Sequence, residues 1–294
     1  MIQCDTGDTS MNKIKKILII VISTLLLISL FVMHSFFIAP RKITVREETL
    51  TSDKIPVSMN GFKIVFFSDV HFNGYVNEER LEDIIELINT QNPDAVLFGG
   101  DLFDHPSSHL PSEAVQSTAV KLFSSIEAPK GKFAVLGNHD LESSTVKDIV
   151  ETVLYDAGFE VLANKSLRIR NSSSGSIVLT GLESGLLGHP DVTTPFETVS
   201  SEDYSIILCH TPDTALEITT SKGDLFLAGH GHGGQIYFPV FGALYRPKGA
   251  EEYYRGTHEL ENMILDVTNG CGTTKADIRF LADAEIVVYT LHSK

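Results

Sequence analysis

Lys132-Phe133-Ala134-Val135-Leu136-Gly137-Asn138-His139-Asp140 runs from an apolar segment through a glycine into an amide, an imidazole and a carboxylate. An apolar run of that length reads as a buried strand, here over Lys132–Gly137, with the polar triplet at its carboxyl end. Neighbouring side chains of an extended backbone diverge, so Asn138 can offer its amide oxygen to a metal ion while His139 faces a substrate. On this reading Asp140 fixes the His139 tautomer, as carboxylates behind functional imidazoles do.

The same arrangement recurs to either side. Upstream, a strand expected over Ala95–Gly99 leads into Gly100-Asp101-Leu102-Phe103-Asp104, and one over Phe62–Val70 carries Asp69-Val70-His71. The glycines let the chain turn and present Asp101, whose two oxygens suit it to bridge two cations, with Asp104 in a supporting or structural place. Asp69 and His71, two residues apart, fall on one side of an extended chain. Downstream, Tyr204–Cys209 ends at His210, and Asp224–Ala228 ends at Gly229-His230-Gly231-His232-Gly233-Gly234-Gln235. A phosphate-cradling loop is the rival reading of those glycines, but no Lys-Ser/Thr follows them. Cys209 falls on the strand face opposite His210 and is not expected as a ligand. His34, His105, His109, His189, His258 and His292 have no partner at ligand spacing and read as surface or structural residues. In open α/β sheets ligands bind beyond the carboxyl ends of strands, so groups spread over more than 160 residues can converge there.

Helices are expected between these strands over Asn77–Asn89, Ser112–Ile126 and Ser143–Ala157, from apolar residues at helical spacing. Phe159–Leu162, Ser166–Arg170 and Ile177–Gly181 follow, with hairpin spacing, and Glu261–Val267, Asp277–Leu281 and Glu285–Leu291 read as closing strands. Helices interleave early and strands dominate late, which gives an α/β fold of two packed sheets between helical layers.

Ile17–Ala39 contains no charged residue, with Lys13, Lys15 and Lys16 before it and Arg41 and Lys42 after. As a helix it reaches about 35 Å, enough to cross a bilayer. A cleaved signal peptide has a shorter apolar core and a small-residue cleavage site, which His34-Ser35-Phe36-Phe37-Ile38 does not offer. The expected division is a cytoplasmic tail over 1–16, a transmembrane anchor over 17–39, a polar linker or first edge strand over 40–60 and one domain over 61–294. The linker reading predicts that a chain beginning near Thr51 folds alone. Basic residues balance across the apolar run, so orientation rests on the habit of single N-terminal anchors, which puts the domain outside the cytoplasm.

With 43% hydrophobic residues in 294, the chain can bury a sizeable core. Residues 1–60 hold more basic than acidic side chains, so the net charge of −15 is concentrated in the domain. A domain that acidic lacks the basic stripe of a nucleic-acid binder. Cys4, Cys209 and Cys271 are too few and too scattered for a disulfide framework or a Cys-rich zinc site, and the last two read as buried thiols.

In this order the motifs D-x-H, GD-xx-D, GNH-D, a lone His and GH-x-H resemble the calcineurin-like metallophosphoesterases. The similarity runs over about residues 61–292 and is greatest to the bacterial membrane-associated branch, through Gly233–Ile236, Tyr254-Arg255-Gly256 and Asn269-Gly270-Cys271-Gly272. Two residues depart from the pattern: Gly231, where Thr or Ser is usual, and Cys271, where a small aliphatic is common. The resemblance implies an αββα fold and a phosphodiesterase or pyrophosphatase that uses a hydroxide activated by two divalent metals (Mn, Fe or Zn). One metal would be held by Asp69, His71, Asp101 and His232, the other by Asp101, Asn138, His210 and His230, with His139 and Asp140 catalytic. The implied partners are a membrane and a small or lipid-linked phosphoester. Alternatives left open are a phosphomonoesterase, a UDP-diacylglucosamine-type glycolipid pyrophosphatase, and a membrane-anchored scaffold without catalysis.

Overall fold

The computed structural model describes residues 7–172, 175–218 and 222–294; Cys4 and the first residues of the expected tail lie outside them. In chain order the elements are α1 (Gly7–Met33), β1 (Ile43–Ser52), β2 (Lys63–Phe67), α2 (Glu78–Thr90), β3 (Ala95–Phe98), α3 (Glu113–Ser124) and β4 (Lys132–Ala134). Then come α4 (Ser144–Asp156), β5 (Phe159–Val161), β6 (Lys165–Ser172), β7 (Gly175–Gly181), β8 (Ser205–Leu208) and β9 (Leu225–Ala228). A short hairpin of β10 (Tyr237–Phe238) and β11 (Gly242–Ala243) precedes β12 (Gly256–Leu260), β13 (Met263–Val267) and β14 (Ala284–Ser293). Helices α2, α3 and α4 begin where the sequence places them because Asn77, Ser112 and Ser143 accept the backbone N–H three residues on.

Two mixed six-stranded sheets form, ordered β1-β14-β2-β3-β4-β5 and β12-β13-β9-β8-β7-β6. Side-chain alternation along β2 explains how they pack. Ile64 and Phe66 face the second sheet, against residues such as Leu179, Ile206 and Leu227. Val65 and Phe67 face the other way, onto Leu81, Ile84 and Ile88 of α2. The far face of the second sheet, through Ile207, Phe226 and Leu265, is covered by 3-10 turns at Thr194–Phe196 and Pro212–Glu217 with their loops. The α/β sandwich thus carries α2, α3 and α4 on one outer face of its two sheets and short 3-10 turns with loops on the other.

Strands β2, β3 and β4 are mutually parallel, as are β8 and β9, so each set presents its carboxyl ends together. Each of the five groups of expected ligands follows one of these ends.

Residues 43–52 resolve the choice between linker and strand. They pair in parallel with β14 along their whole length. Arg46 in this strand makes a bidentate ion pair with buried Asp266 of β13, both contacts at 2.9 Å, and also reaches Glu285 and Glu48. It therefore ties the edge of one sheet to the other. A chain beginning near Thr51 loses this strand and leaves Asp266 buried without its cation, so the sheet must be taken from Ile43 onward.

Asp277–Leu281, expected as a strand, is not one: it makes a single bridge from Phe280 to Ile236 and sends Arg279 inward. The partner of β13 is instead β12, whose polar Gly256-Thr257-His258-Glu259-Leu260 gave no apolar signal.

The apolar N-terminal segment is one helix long and apolar enough to cross a membrane. Its end is docked on the domain: Ser35 accepts from the Arg279 N–H at 3.0 Å, Pro40 accepts from Arg80 at 2.6 Å, and the rings of Phe31 and Phe280 lie 4.5 Å apart.

Candidate metal centre

Five of the seven expected ligands sit in the left-handed region: Asp69 (φ 55°), His71 (50°), Asp101 (57°), His230 (64°) and His232 (48°). Such residues carry strain of about 1–3 kcal/mol each and persist where the surroundings fix them. The chain at Asp69-Val70-His71 is therefore not extended. The two side chains converge through left-handed turns, which corrects the argument from strand alternation. Asn138 is likewise helical, at the start of a 3-10 turn over His139–Leu141.

Hydrogen bonds from the site loops supply the fixing. The Asp69 carboxylate accepts the His230 N–H at 3.0 Å, joining the loops after β2 and β9. Asp101 Oδ1 accepts the His139 N–H at 2.9 Å. Gly137 has to lie against this carboxylate, for a Cβ there would collide with Asp101 Oδ1. Asp140 is buried and accepts three backbone N–H groups, from Gly137, Asp101 and Leu102, at 2.8–2.9 Å. Burial and the charge of Asp101 push its carboxyl up to about 6 despite those donors.

Asp140 thus clamps backbone and does not hold the His139 ring. Glu142 does, with Oε1 2.7 Å from His139 Nδ1. Glu142 is itself held by the N–H and hydroxyl of Ser107. Burial would raise its carboxyl, but the Ser107 bonds and His139 outweigh that and lower it. His105, read from sequence as structural, packs edge-on against the His139 ring at 4.5 Å. The i, i+3 spacing within a helical turn was the available signal for Glu142; His105 had none.

All seven expected ligands come to one place, mostly buried, and the four imidazoles and two carboxylates of two groups meet closely. Asp69, His71 and His232 bring ligand atoms within 4.8 Å of one another, and so do Asp101, His210 and His230. Asp101 Oδ2 links the groups, 3.2 Å from His210 Nε2 and 3.8 Å from His71 Nε2. One oxygen is thus shared, and the other is committed to the His139 N–H.

The polar atoms fit cations. His210 Nδ1 donates to the Gly99 carbonyl at 2.8 Å, which leaves its Nε2 lone pair facing a carboxylate oxygen. His230 Nε2 donates to the Lys248 carbonyl at 2.8 Å and turns Nδ1 inward. His71 and His232 set Nε2 against Nε2 at 3.1 Å, while Asp104 Oδ1 stands 3.5 Å behind His71 Nδ1. The Asn138 amide oxygen is buried without a hydrogen-bond partner. Acceptors aimed at acceptors in a buried pocket are unfavourable unless positive charge lies between them. Burial lowers the His210 imidazole, but Asp101 and Asp69 reverse this and raise it, so the pocket favours a positive charge there. Burial pushes His232 down to about 3, with the nearby His71 helping, and keeps it a neutral donor.

Cys209 and Cys271 are buried free thiols outside these groups. Gly231, the departure inside GH-x-H, meets the Tyr254 carbonyl where a Cβ would stand, so a larger residue needs that loop to move. Behind the pocket lies Arg279, which the sequence did not single out. Fully buried, it donates to the carbonyls of Asn269, Gly270, Gly272, Ala282 and His232 at 2.6–3.4 Å.

A cleft of about 540 Å³ opens over the centre. Its lining includes Asp101, Asn138, His139 and His232 together with the apolar Ile236, Leu244, Tyr245 and Ile278.

The comparisons with known proteins agree with this arrangement. A family profile described as Calcineurin-like phosphoesterase matches residues 62–234. The uncharacterised metallophosphoesterase YkuE of Bacillus subtilis is 34% identical, over 88% of this chain and 89% of the relative. The Escherichia coli phosphodiesterase YaeI is 30% identical, over 72% of this chain and 76% of the relative. A Danio rerio transmembrane protein with metallophosphoesterase domain is 29% identical over 80% of this chain, which spans only 54% of that longer relative. The profile covers more than half of the chain and YkuE aligns along nearly all of it, so this chain belongs to the calcineurin-like metallophosphoesterase family.

Proposed function

We propose that the chain is a membrane-tethered, two-metal phosphoesterase that hydrolyses phosphodiester or pyrophosphate bonds of a small or lipid-linked substrate. The observation that carries this is Asp101 Oδ2 between two ligand groups, with the orphaned Asn138 amide oxygen beside them. Asp69, His71, Asp101 and His232 would hold one cation, and Asp101, Asn138, His210 and His230 the other. A nitrogen and oxygen donor set without thiolate suits Mn, Fe or Zn. When bound, such a pair supplies Lewis acidity at the phosphoryl group and a water of lowered pKa.

The protein's own groups do the rest. His139, on the cleft wall and oriented by Glu142, is placed to give a proton to the departing oxygen or to stabilise its charge. Asp140 keeps the Gly137 and Asp101 loops at the spacing that Asp101 needs to serve both groups. Residues 17–39 serve as the membrane anchor, with the domain on the extracytoplasmic side.

A diester is preferred because YaeI, 30% identical over 72% of this chain, carries the name phosphodiesterase. The full chain loaded with manganese should cleave a bis-nitrophenyl phosphate faster than a nitrophenyl monoester. Cleavage of the monoester alone makes it a phosphomonoesterase. Cleavage of neither ester, nor of a lipid-linked pyrophosphate, with metals bound leaves only the scaffold reading.

A further inference from the structure

The short β10–β11 hairpin carries apolar side chains that the fold leaves uncovered. At its tip Val240 and Phe241 are 86% and 87% exposed, and Leu244 and Tyr245 just after it are 72% and 56% exposed. Solvent-exposed apolar residues in a contiguous run mark a surface that meets something. What it meets is indicated by its neighbours. Phe238, at the base of the hairpin, packs at a tilt against Phe280 at 5.4 Å, and Phe280 meets Phe31 of α1 edge-on at 4.5 Å. The hairpin is therefore braced against the apolar helix, beside Phe31 and not beyond its end.

Phe31 lies eight residues before Ala39, the last residue of the uncharged run. At helical rise that is about 12 Å inside the run. Interfacial apolar faces are buried about 5–10 Å into the headgroup and acyl boundary. A bilayer against the exposed side of residues 17–39, whose Ser35 and Ala39 are turned into the domain, thus reaches the level at which the hairpin is attached.

The residues around the hairpin have the chemistry of that boundary. Arg255 lies over the Tyr237 ring at 4.0 Å, Arg246 over Tyr254 at 4.3 Å, and Lys275 over Tyr245 at 3.7 Å. Tyrosines with apolar bodies and polar tips favour the membrane–water interface, and cations there meet anionic headgroups. Three such pairs stand together in a chain of net charge −15.

We propose that the Tyr237–Ala243 hairpin, with Leu244 and Tyr245, is a second membrane contact that inserts beside the anchor helix and holds the mouth of the metal cleft at the headgroup level. Leu244 and Tyr245 belong both to this surface and to the cleft wall. A phosphoester carried at the bilayer surface then reaches the metal centre without leaving the membrane. The inference rests on residues 17–39 spanning the membrane, and does not depend on catalysis.

The chain contains no tryptophan, so any tryptophan introduced is a sole reporter. The full chain is reconstituted into vesicles of phosphatidylcholine and phosphatidylglycerol, with or without brominated acyl chains. Single variants Phe241→Trp and Val240→Trp report on the hairpin, Leu25→Trp on the span, and Tyr155→Trp on the solvent face of α4. The hairpin reporters should lose most of their emission to brominated lipid and resist aqueous iodide, as Leu25→Trp does, while Tyr155→Trp does the reverse. If Leu25→Trp is quenched by brominated lipid but both hairpin reporters follow Tyr155→Trp, the hairpin stands in water and the proposal is overturned, with the anchor intact. If Leu25→Trp also resists brominated lipid, the span and the proposal fail together.

Discussion

His139→Ala is expected to keep its metal content and lose on the order of a hundredfold or more in turnover, the scale of general acid catalysis. The backbone N–H of residue 139, not its ring, is what Asp101 Oδ1 accepts, so removing the imidazole leaves that contact in place. The loss should shrink for a nitrophenyl diester, whose leaving group needs little protonation, and be full for an alkyl leaving group. Glu142→Gln keeps a hydrogen-bonding group near Nδ1 but withdraws the negative charge, so it should cost less than His139→Ala and move the basic limb of the pH–rate profile. Turnover measured for a series of leaving groups checks this. Equal losses for good and poor leaving groups would leave His139 only an electrostatic part.

A large effect of a different kind is expected at Arg279. The guanidinium is buried with five carbonyl acceptors around it, and among the described residues no carboxylate bonds to it. Burial pushes its pKa down only to about 10, so the side chain stays charged near neutrality. Arg279→Leu removes those donors at once from the loops that carry His232 and Asn269–Gly272. Gly270 and Gly272 of those loops lie directly against Asp69, so the metal pocket loses part of its support. Leaving a buried acceptor unsatisfied costs about 1–3 kcal/mol for each group, and the denaturant midpoint of the detergent-solubilised chain should fall accordingly. Arg279→Lys, a point charge without the planar fork, should fall between the two. A midpoint unchanged within error for Arg279→Leu would contradict this role.

The cluster of candidate ligands was legible because metal-binding chemistry tolerates few residue types. Asp, Asn and His at the ends of apolar strands have little else to do, and the three-dimensional arrangement gathers all seven. How they converge was not legible. Asp69, His71, His230 and His232 use left-handed backbone that only the surrounding loops stabilise, so periodicity gave a right answer by a wrong route. Asp140 was assigned to the nearest imidazole in sequence, whereas its carboxylate is fully used by N–H groups of two loops, Asp101-Leu102 and Gly137. Strand β1 was ambiguous because an edge strand paired on one side carries Arg46, Glu47 and Glu48 as readily as a linker does. Arg279 left no mark because Asp277-Ile278-Arg279-Phe280 alternates like a strand, and its acceptors are carbonyls, which any residue supplies.

The account stands most directly on the metal content of the freshly purified full chain, measured by elemental analysis. It predicts two divalent transition-metal ions per chain. Asp101→Asn should lower the occupancy of both sites, because Asp101 Oδ2 faces both ligand groups, while Asp69→Asn should deplete mainly one. A chain free of transition metal, with phosphodiester hydrolysis that resists strong chelators, would contradict it.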